Sequence, residues 1–159
     1  SKTRAYALGF GGIYLNRIGR EKYGIVSEEE ADKLKKEIAQ KLSQLKDPKT
    51  QELVVSKVYK NEEIFSGVYA KDSPVLYVGT NLGYRVSWKT ALGMVPEDLI
   101  EENKKKWSGD HLIDPELVPG VLFINKKIKL DNPSILDIAP MIFSLYDIEK
   151  SKKEFFTDE

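Results

Sequence analysis

The sequence predicts a domain of the α/β class, in which strands and helices pack as separate layers. Three observations lead to this prediction. Short apolar runs typical of strands recur along the chain, a longer amphipathic stripe with helical spacing interrupts them, and a second helical stripe lies near the end. With 159 residues, the chain is long enough to bury a substantial core. We expect residues 1–149 to form a single or partial domain and the charged residues 150–159 to form a frayed tail.

The first elements are two extended segments followed by a helix. Residues 5–16 (AYALGFGGIYLN) are apolar and aromatic, and their glycines permit a bend between two strands. Ser27 and Glu30 have the spacing of a capping box, which predicts a helix that begins at Ser27 and ends near Lys46. Its apolar residues recur every three or four positions and predict one buried face: Ala31, Leu34, Ile38, Leu42 and Leu45.

Shorter elements follow this helix. Residues 47–50 (DPKT) predict a turn, 53–59 a strand, and 61–73 one helical turn and then a loop. Residues 75–78 are continuously apolar and predict a strand covered on both faces. Residues 79–93 predict an aromatic loop or edge hairpin, and 94–106 have no clear period. Residues 121–124 (VLFI) predict another buried strand, and Asp137 predicts the cap of a last helix with Pro140 tolerated at its third position.

The composition excludes several classes of function. The 25 basic and 25 acidic residues balance, and only four residues are arginine, so we expect no nucleic-acid partner. The chain has no cysteine, which excludes disulfides and thiolate metal sites. No apolar run approaches the ~20 residues of a membrane span. No signal peptide pattern is present, and the sequence leaves the cellular location open.

The segment around the only histidine carries the most chemical information. His111 lies in WSGDH (107–111), ahead of DPELVPGVLF (114–123), and a Gly-Asp-His tripeptide before an apolar strand is a plausible metal-ligand loop. Asp110 and Asp114 are candidates to orient the histidine or to cap the loop. Without its flanking sequence, the histidine would be interpreted as an ordinary surface or hydrogen-bonded residue. Four residues could line a substrate cleft, with core packing or an ion pair as the alternative use: Tyr84, Arg85, Trp88 and Trp107.

Three stretches in sequence order carry a family resemblance: GTNLGYRVSW (79–88), the segment 107–123, and SILDIAPMI (134–142). They resemble the C-terminal part of the alkaline phosphatase superfamily, and within it the type I phosphodiesterase/nucleotide pyrophosphatase-like proteins. YLN (14–16) and GRE (19–21) add weaker similarity, so that the resemblance covers nearly the whole chain. It implies an incomplete alkaline-phosphatase-like core, with the C-terminal strands and helices of a mixed sheet and long loops.

The resemblance also implies a two-zinc enzyme that hydrolyses phosphodiester or nucleotide substrates, with the two ions holding the attacking and leaving oxygens. His111 corresponds to a late zinc ligand, and no other ligand transfers to this chain. The nucleophile, an early aspartate and an Asp-His-Gly pair belong to the family's N-terminal part. Three residues depart from the family pattern, because Gln51, Val68 and Val75 stand where glycine, proline and aspartate are expected.

A count of possible ligands decides what the chain can do alone. A catalytic zinc needs about three protein ligands and an open position, and His111 with Asp110 and Asp114 cannot supply two such sites. We therefore expect that the complete enzyme binds two Zn²⁺ ions, and that this chain alone binds none and is inactive.

One of two partners is expected. The sequence starts at Ser1 and is strand-like by Tyr6, so we expect a piece of a longer protein whose partner is its own N-terminal part or a second copy. The alternative is a stand-alone non-catalytic module that retains the fold and serves binding or assembly.

Overall fold

The computed structural model describes residues 2–107, 109–148, 155 and 156. The chain divides into two compact units, Ser1–Pro119 and Gly120–Glu159. The first unit contains a sheet of four strands in the order β1-β2-β4-β3: β1 (Ala5–Leu8), β2 (Gly12–Leu15), β3 (Val55–Lys60) and β4 (Leu76–Thr80). The predicted α/β class is therefore confirmed at this level.

All three strand pairs are antiparallel, whereas the mixed sheet expected from the resemblance requires a parallel pair. The glycine-rich bend predicted within residues 5–16 is present and folds β1 back on β2, with Tyr6 opposite Tyr14. Gly11 adopts a φ of 95°, and a Cβ there would lie 3.0 Å from the carbonyl oxygen of Val78, so this position requires glycine. Strand β4 then pairs with β2 through Ile13 and Leu76.

The predicted long helix is α1 (Glu28–Ser43), which ends three residues before the expected Lys46. Both hydrogen bonds of the capping box between Ser27 and Glu30 are present. The predicted apolar stripe of α1 faces the sheet, where Leu34 joins the buried core. That core consists of Leu15, Val26, Leu34, Val75 and Leu76.

A tight turn connects α1 to β3, as predicted. The Asp47 carboxylate accepts a hydrogen bond from the Lys49 amide at 2.7 Å, and the Gln51 amide donates to the Asp47 carbonyl at 2.8 Å. Gln51 has a φ of 63°, in the left-handed region that favours glycine. The departure from glycine noted at this position therefore places a strained residue in the turn.

Residues 61–73 form the predicted short helical turn, α2 (Asn61–Ile64), and then a loop that ends in a 3₁₀ turn (Ala70–Asp72). Beyond β4, the aromatic segment forms a loop and the short helix α3 (Trp88–Ala91), so the loop alternative is correct and the hairpin is not. The segment 94–106 is irregular, as predicted.

The second unit contains one longer helix, α4 (Ile138–Leu145), whose third residue is Pro140 as predicted. The cap differs from the prediction, because a 3₁₀ turn (Ile135–Asp137) precedes α4. Ser134 begins that turn and accepts a hydrogen bond from the Leu136 amide at 3.1 Å. The Asp137 carboxylate instead accepts from the Ser134 amide at 2.9 Å, so Asp137 completes a capping box one turn earlier.

The strand predicted at 121–124 is wrong. These residues are irregular, and Phe123 is 91% exposed. The apolar composition predicted a strand, but the described part of the fold provides no neighbouring strand for the backbone hydrogen bonds of these residues. Of the predicted tail 150–159, only Phe155 and Phe156 are among the described residues; Phe155 is buried and Phe156 pairs with Ile128.

Candidate functional site

The candidate site is the loop formed by residues 109–117, which carries the only histidine. The imidazole of His111 is 87% exposed. Its Nδ1 lies 3.7 Å from Oδ1 of Asp110, which is beyond hydrogen-bonding distance. Asp110 therefore makes no hydrogen bond to the imidazole, although it lies within ion-pair distance of Nδ1 when the ring is protonated.

Asp110 binds elsewhere in the first unit. Its Oδ2 accepts a hydrogen bond from Nη1 of Arg85 at 3.4 Å, and its Oδ1 accepts one from the Leu112 amide at 3.1 Å. The side chain of Asp110 is only 15% exposed, so this ion pair is shielded from water. Arg85 thus forms the ion pair that the sequence offered as the alternative to lining a cleft, and the pair ties the start of the loop to the segment after β4.

Asp114 is the most buried charged residue of the loop, at 2% exposure. Its carboxylate accepts hydrogen bonds from the hydroxyl of Tyr59 at 2.7 Å, from the hydroxyl of Ser56 and from the Glu116 amide at 3.0 Å. Ser56 and Tyr59 both belong to β3. A buried charge is tolerated only when it is hydrogen-bonded, and these three donors meet that requirement for Asp114.

The environment of Asp114 shifts two pKa values in opposite directions. Burial by itself would raise the pKa of the Asp114 carboxyl, but the hydrogen bonds from Ser56, the Glu116 amide and Tyr59 lower it below its ordinary value. Burial and the hydrogen bond to Asp114 raise the pKa of the Tyr59 hydroxyl well above its ordinary value. At neutral pH, the pair therefore consists of a neutral phenol and a charged carboxylate.

Gly79 in β4 makes room for this carboxylate. A Cβ at Gly79 would lie 2.9 Å from Cγ of Asp114 and would overlap one of its oxygens. The φ of Gly79 does not require glycine, so the requirement comes from the approach of Asp114. Because Gly79 has no side chain, the sheet leaves space at this position for the carboxylate of Asp114.

The other predicted site residues occupy separate places. The hydroxyl of Tyr84 donates to Asp47 at 3.1 Å and fixes the turn before β3. The Trp88 ring packs edge-to-face on Phe10, with centroids 5.6 Å apart. Trp107 is 83% exposed. Of the four predicted cleft residues, only Arg85 forms an ion pair with the loop. Within the described residues 2–107 and 109–148, none of the four makes a hydrogen bond or ring contact with His111.

A cleft of about 340 Å³ lies elsewhere, beside the loop after β2, and is lined by Thr3, Tyr6, Asn16, Glu21, Lys22 and Tyr23. Its acidic group, Glu21, accepts hydrogen bonds from the hydroxyl of Tyr6, from Nε of Arg20 and from the Arg17 amide. These contacts close the loop and satisfy the carboxylate. None of the residues predicted from the sequence to form a site lies in this cleft.

The metal centre implied by the resemblance does not fit this chain by itself. Among the described residues, no group of three or more histidine, aspartate or glutamate side chains is arranged to hold a metal ion. The nearest carboxylates to His111 in sequence, Asp110 and Asp114, are already held by protein donors. Within the described part of the chain, His111 therefore does not belong to a group of possible metal ligands.

Sequence analysis did not identify Ser56, Tyr59 or Gly79. They lie 35–58 residues before Asp114, and only the tertiary fold brings them together.

None of the helices in the described part of the chain combines the length and apolar character needed to cross a membrane. Comparisons with protein-family models, curated proteins and solved structures gave no match to this chain.

Proposed function

We propose that this chain is the C-terminal segment of a two-zinc phosphodiesterase/nucleotide pyrophosphatase-like hydrolase, to which it contributes His111 as one zinc ligand. By itself the chain is inactive. The observation that carries the proposal is the exposed imidazole of His111, which lies on a loop whose two neighbouring carboxylates are engaged by the protein. The sequence around it resembles the late metal-ligand loop of that family.

The chemistry of the loop supports the same proposal. Neutral imidazole is a common ligand for zinc, and it needs a ring nitrogen free of protein hydrogen bonds. The engaged carboxylates Asp110 and Asp114 cannot easily reach the same ion, because moving either one would leave a shielded Arg85 or a buried tyrosine hydroxyl without its partner. The loop is therefore suited to give one ligand rather than three.

Exposed apolar side chains in each unit also support the proposal that another polypeptide covers part of this chain. In the first unit these are Leu92, Val95, Leu99 and Trp107, and in the second Val121, Phe123, Ile135 and Leu136. Single exposed apolar residues are normal, whereas an exposed apolar surface that is contiguous is typical of contact with another polypeptide. In the proposed parent enzyme, the N-terminal part would provide that cover.

Reconstitution tests the proposal. The chain is mixed with the polypeptide encoded immediately upstream, and zinc content and hydrolysis of bis(p-nitrophenyl) phosphate are measured for the mixture and for each part. We expect activity only in the mixture and a loss of at least ~100-fold for His111→Ala. Gln40→Ala, on the exposed face of α1, is the matched control. Equal activity of the mixture with and without His111 would refute the proposed ligand.

The alternative is a non-catalytic binding or assembly module that keeps the fold. The exposed apolar side chains favour it equally, because a second copy could cover them. Light scattering over a range of concentrations separates the two proposals. A stable homo-oligomer that gains no activity with the upstream polypeptide supports the module, whereas a species that changes size and becomes active on mixing supports the hydrolase.

A further inference from the structure

We infer that Asp114 is a positioning residue for His111: it fixes the backbone of the loop 109–117 to β3 and so restricts the region in which the imidazole can lie. The use of that position for zinc rests on the proposed function. The anchoring itself concerns only this chain and is tested without zinc.

The loop is tied to the sheet region at three points. Asp110 binds Arg85 just after β4, Asp114 binds Ser56 and Tyr59 on β3, and Glu116 forms an ion pair with Lys57 on the same strand. His111 lies between the first and second of these contacts. A segment of three residues between two fixed points has few backbone conformations, so the Cα and Cβ of His111 are held within a small region.

Among the three contacts, the one made by Asp114 is the most directional. Its carboxylate is 2% exposed, it fills the space left by Gly79, and hydroxyl and amide donors approach both of its oxygens. Glu116 and its partner Lys57 are exposed, and exposed ion pairs contribute little. The Arg85–Asp110 hydrogen bond is long, at 3.4 Å. Asp114 therefore determines where the loop lies.

The Asp114 carboxylate also makes turns within the loop. Oδ1 accepts from the Glu116 amide, and the Asp114 carbonyl accepts from the Leu117 amide at 3.0 Å. These bonds set the chain direction next to the buried anchor. Asparagine at this position has one acceptor oxygen in place of two, so Asp114→Asn keeps the volume and removes part of the donor set.

In the proposed function, a loop with a fixed backbone would help His111 to bind zinc. A ligand that is held close to its bound geometry loses little conformational entropy on binding, and binding sites depend on supporting residues that fix the groups making contact. An exposed histidine on an unanchored loop would lose most of that advantage.

Spin labelling measures the anchoring directly, because the chain has no cysteine and labels can be placed at will. Cysteines are introduced as His111→Cys and Gln40→Cys, the second on the exposed face of α1, and the distance between nitroxide labels is measured by double electron–electron resonance. We expect one narrow distance distribution. Adding Asp114→Asn should broaden it about twofold, since the loop then opens locally. Asp98→Asn, at an exposed aspartate, should leave the width unchanged.

Amide hydrogen exchange in the same variants separates positioning from general stability. In Asp114→Asn, we expect faster exchange at Leu112, Glu116 and Leu117, with Val58 and Val78 in the sheet unchanged. If Asp114→Asn unfolds the chain, Tyr59→Phe replaces it, with a smaller broadening expected. An unchanged distribution in a folded Asp114→Asn or Tyr59→Phe variant would overturn the inference. A narrow, Asp114-dependent distribution together with failed reconstitution would refute the zinc role and leave the anchor standing.

Discussion

Removing the hydroxyl of Tyr59 should destabilise the first unit at neutral pH and make its stability depend less on pH in acid. In Tyr59→Phe, the buried carboxylate of Asp114 loses a hydrogen bond of 2.7 Å. A hydrogen bond to a charged group contributes about 1.5–3 kcal/mol, and the site is shielded, so we expect a loss of about 2 kcal/mol at pH 7. Ser56→Ala removes a donor to the other oxygen of the same buried carboxylate, so it should cost a similar amount.

The pH dependence follows from the lowered pKa of Asp114. A carboxyl whose pKa is lower in the folded state stabilises the fold above its unfolded value of about 3.9, and that contribution is lost as the pH falls through the folded pKa. Removing a donor raises the folded pKa toward or above the unfolded one. The stability of the wild type should therefore change little from pH 7 to 5 and fall as the pH drops through the folded pKa of Asp114. The stability of Tyr59→Phe should fall less over the same range, so that the two proteins converge in acid.

Urea unfolding followed by circular dichroism at pH 3–7 measures both effects. Tyr69→Phe is the matched control, because the ring of Tyr69 is 80% exposed, and Ser66→Ala, at an exposed serine, is the control for Ser56→Ala. A loss for Tyr59→Phe no greater than that for Tyr69→Phe would refute the assigned strength of the Asp114 contacts. An unchanged acid profile would refute the linkage.

Three further predictions concern stability. The Gln51→Gly variant should have a free energy of unfolding about 1–2 kcal/mol higher than that of the Gln40→Gly variant. Glycine relieves the left-handed strain at Gln51, whereas it weakens the middle of α1 at Gln40. Equal free energies in urea titrations would show that the turn is unstrained. Gly79→Ala should cost about 1–3 kcal/mol by clashing with Asp114, whereas Gly109→Ala, where a Cβ meets open space, should be neutral in thermal unfolding. Ser27→Ala should cost about 1 kcal/mol and increase amide exchange in the first turn of α1, and unchanged exchange at Glu30 would contradict the capping box.

The sequence predicted best those features that depend on neighbouring residues. Ser27 and Glu30 lie three positions apart, so the capping box of α1 could be recognised from the sequence alone. The glycine bend between β1 and β2 and the Asp47 turn are local in the same sense. The antiparallel placement of β4 between β2 and β3 depends on contacts between distant segments, and no local pattern contains that information.

The same distinction explains the results at the candidate site. His111 was identified because it is the only histidine and lies in a recognisable motif. The partners of Asp114 were missed because hydroxyl groups on a strand are unremarkable until the fold places them beside a carboxylate. The error at 121–124 has a different origin, since a short apolar run does not distinguish a strand from an irregular segment.

The zinc content of the purified chain tests the central claim most directly. After equilibration with micromolar zinc and removal of free ions, native mass spectrometry gives the number of ions per chain, and the same sample is assayed with a phosphodiester. We predict no tightly held pair of ions and no turnover, because one exposed imidazole supplies a single ligand. Two zinc ions retained per isolated chain, together with hydrolysis, would contradict the account.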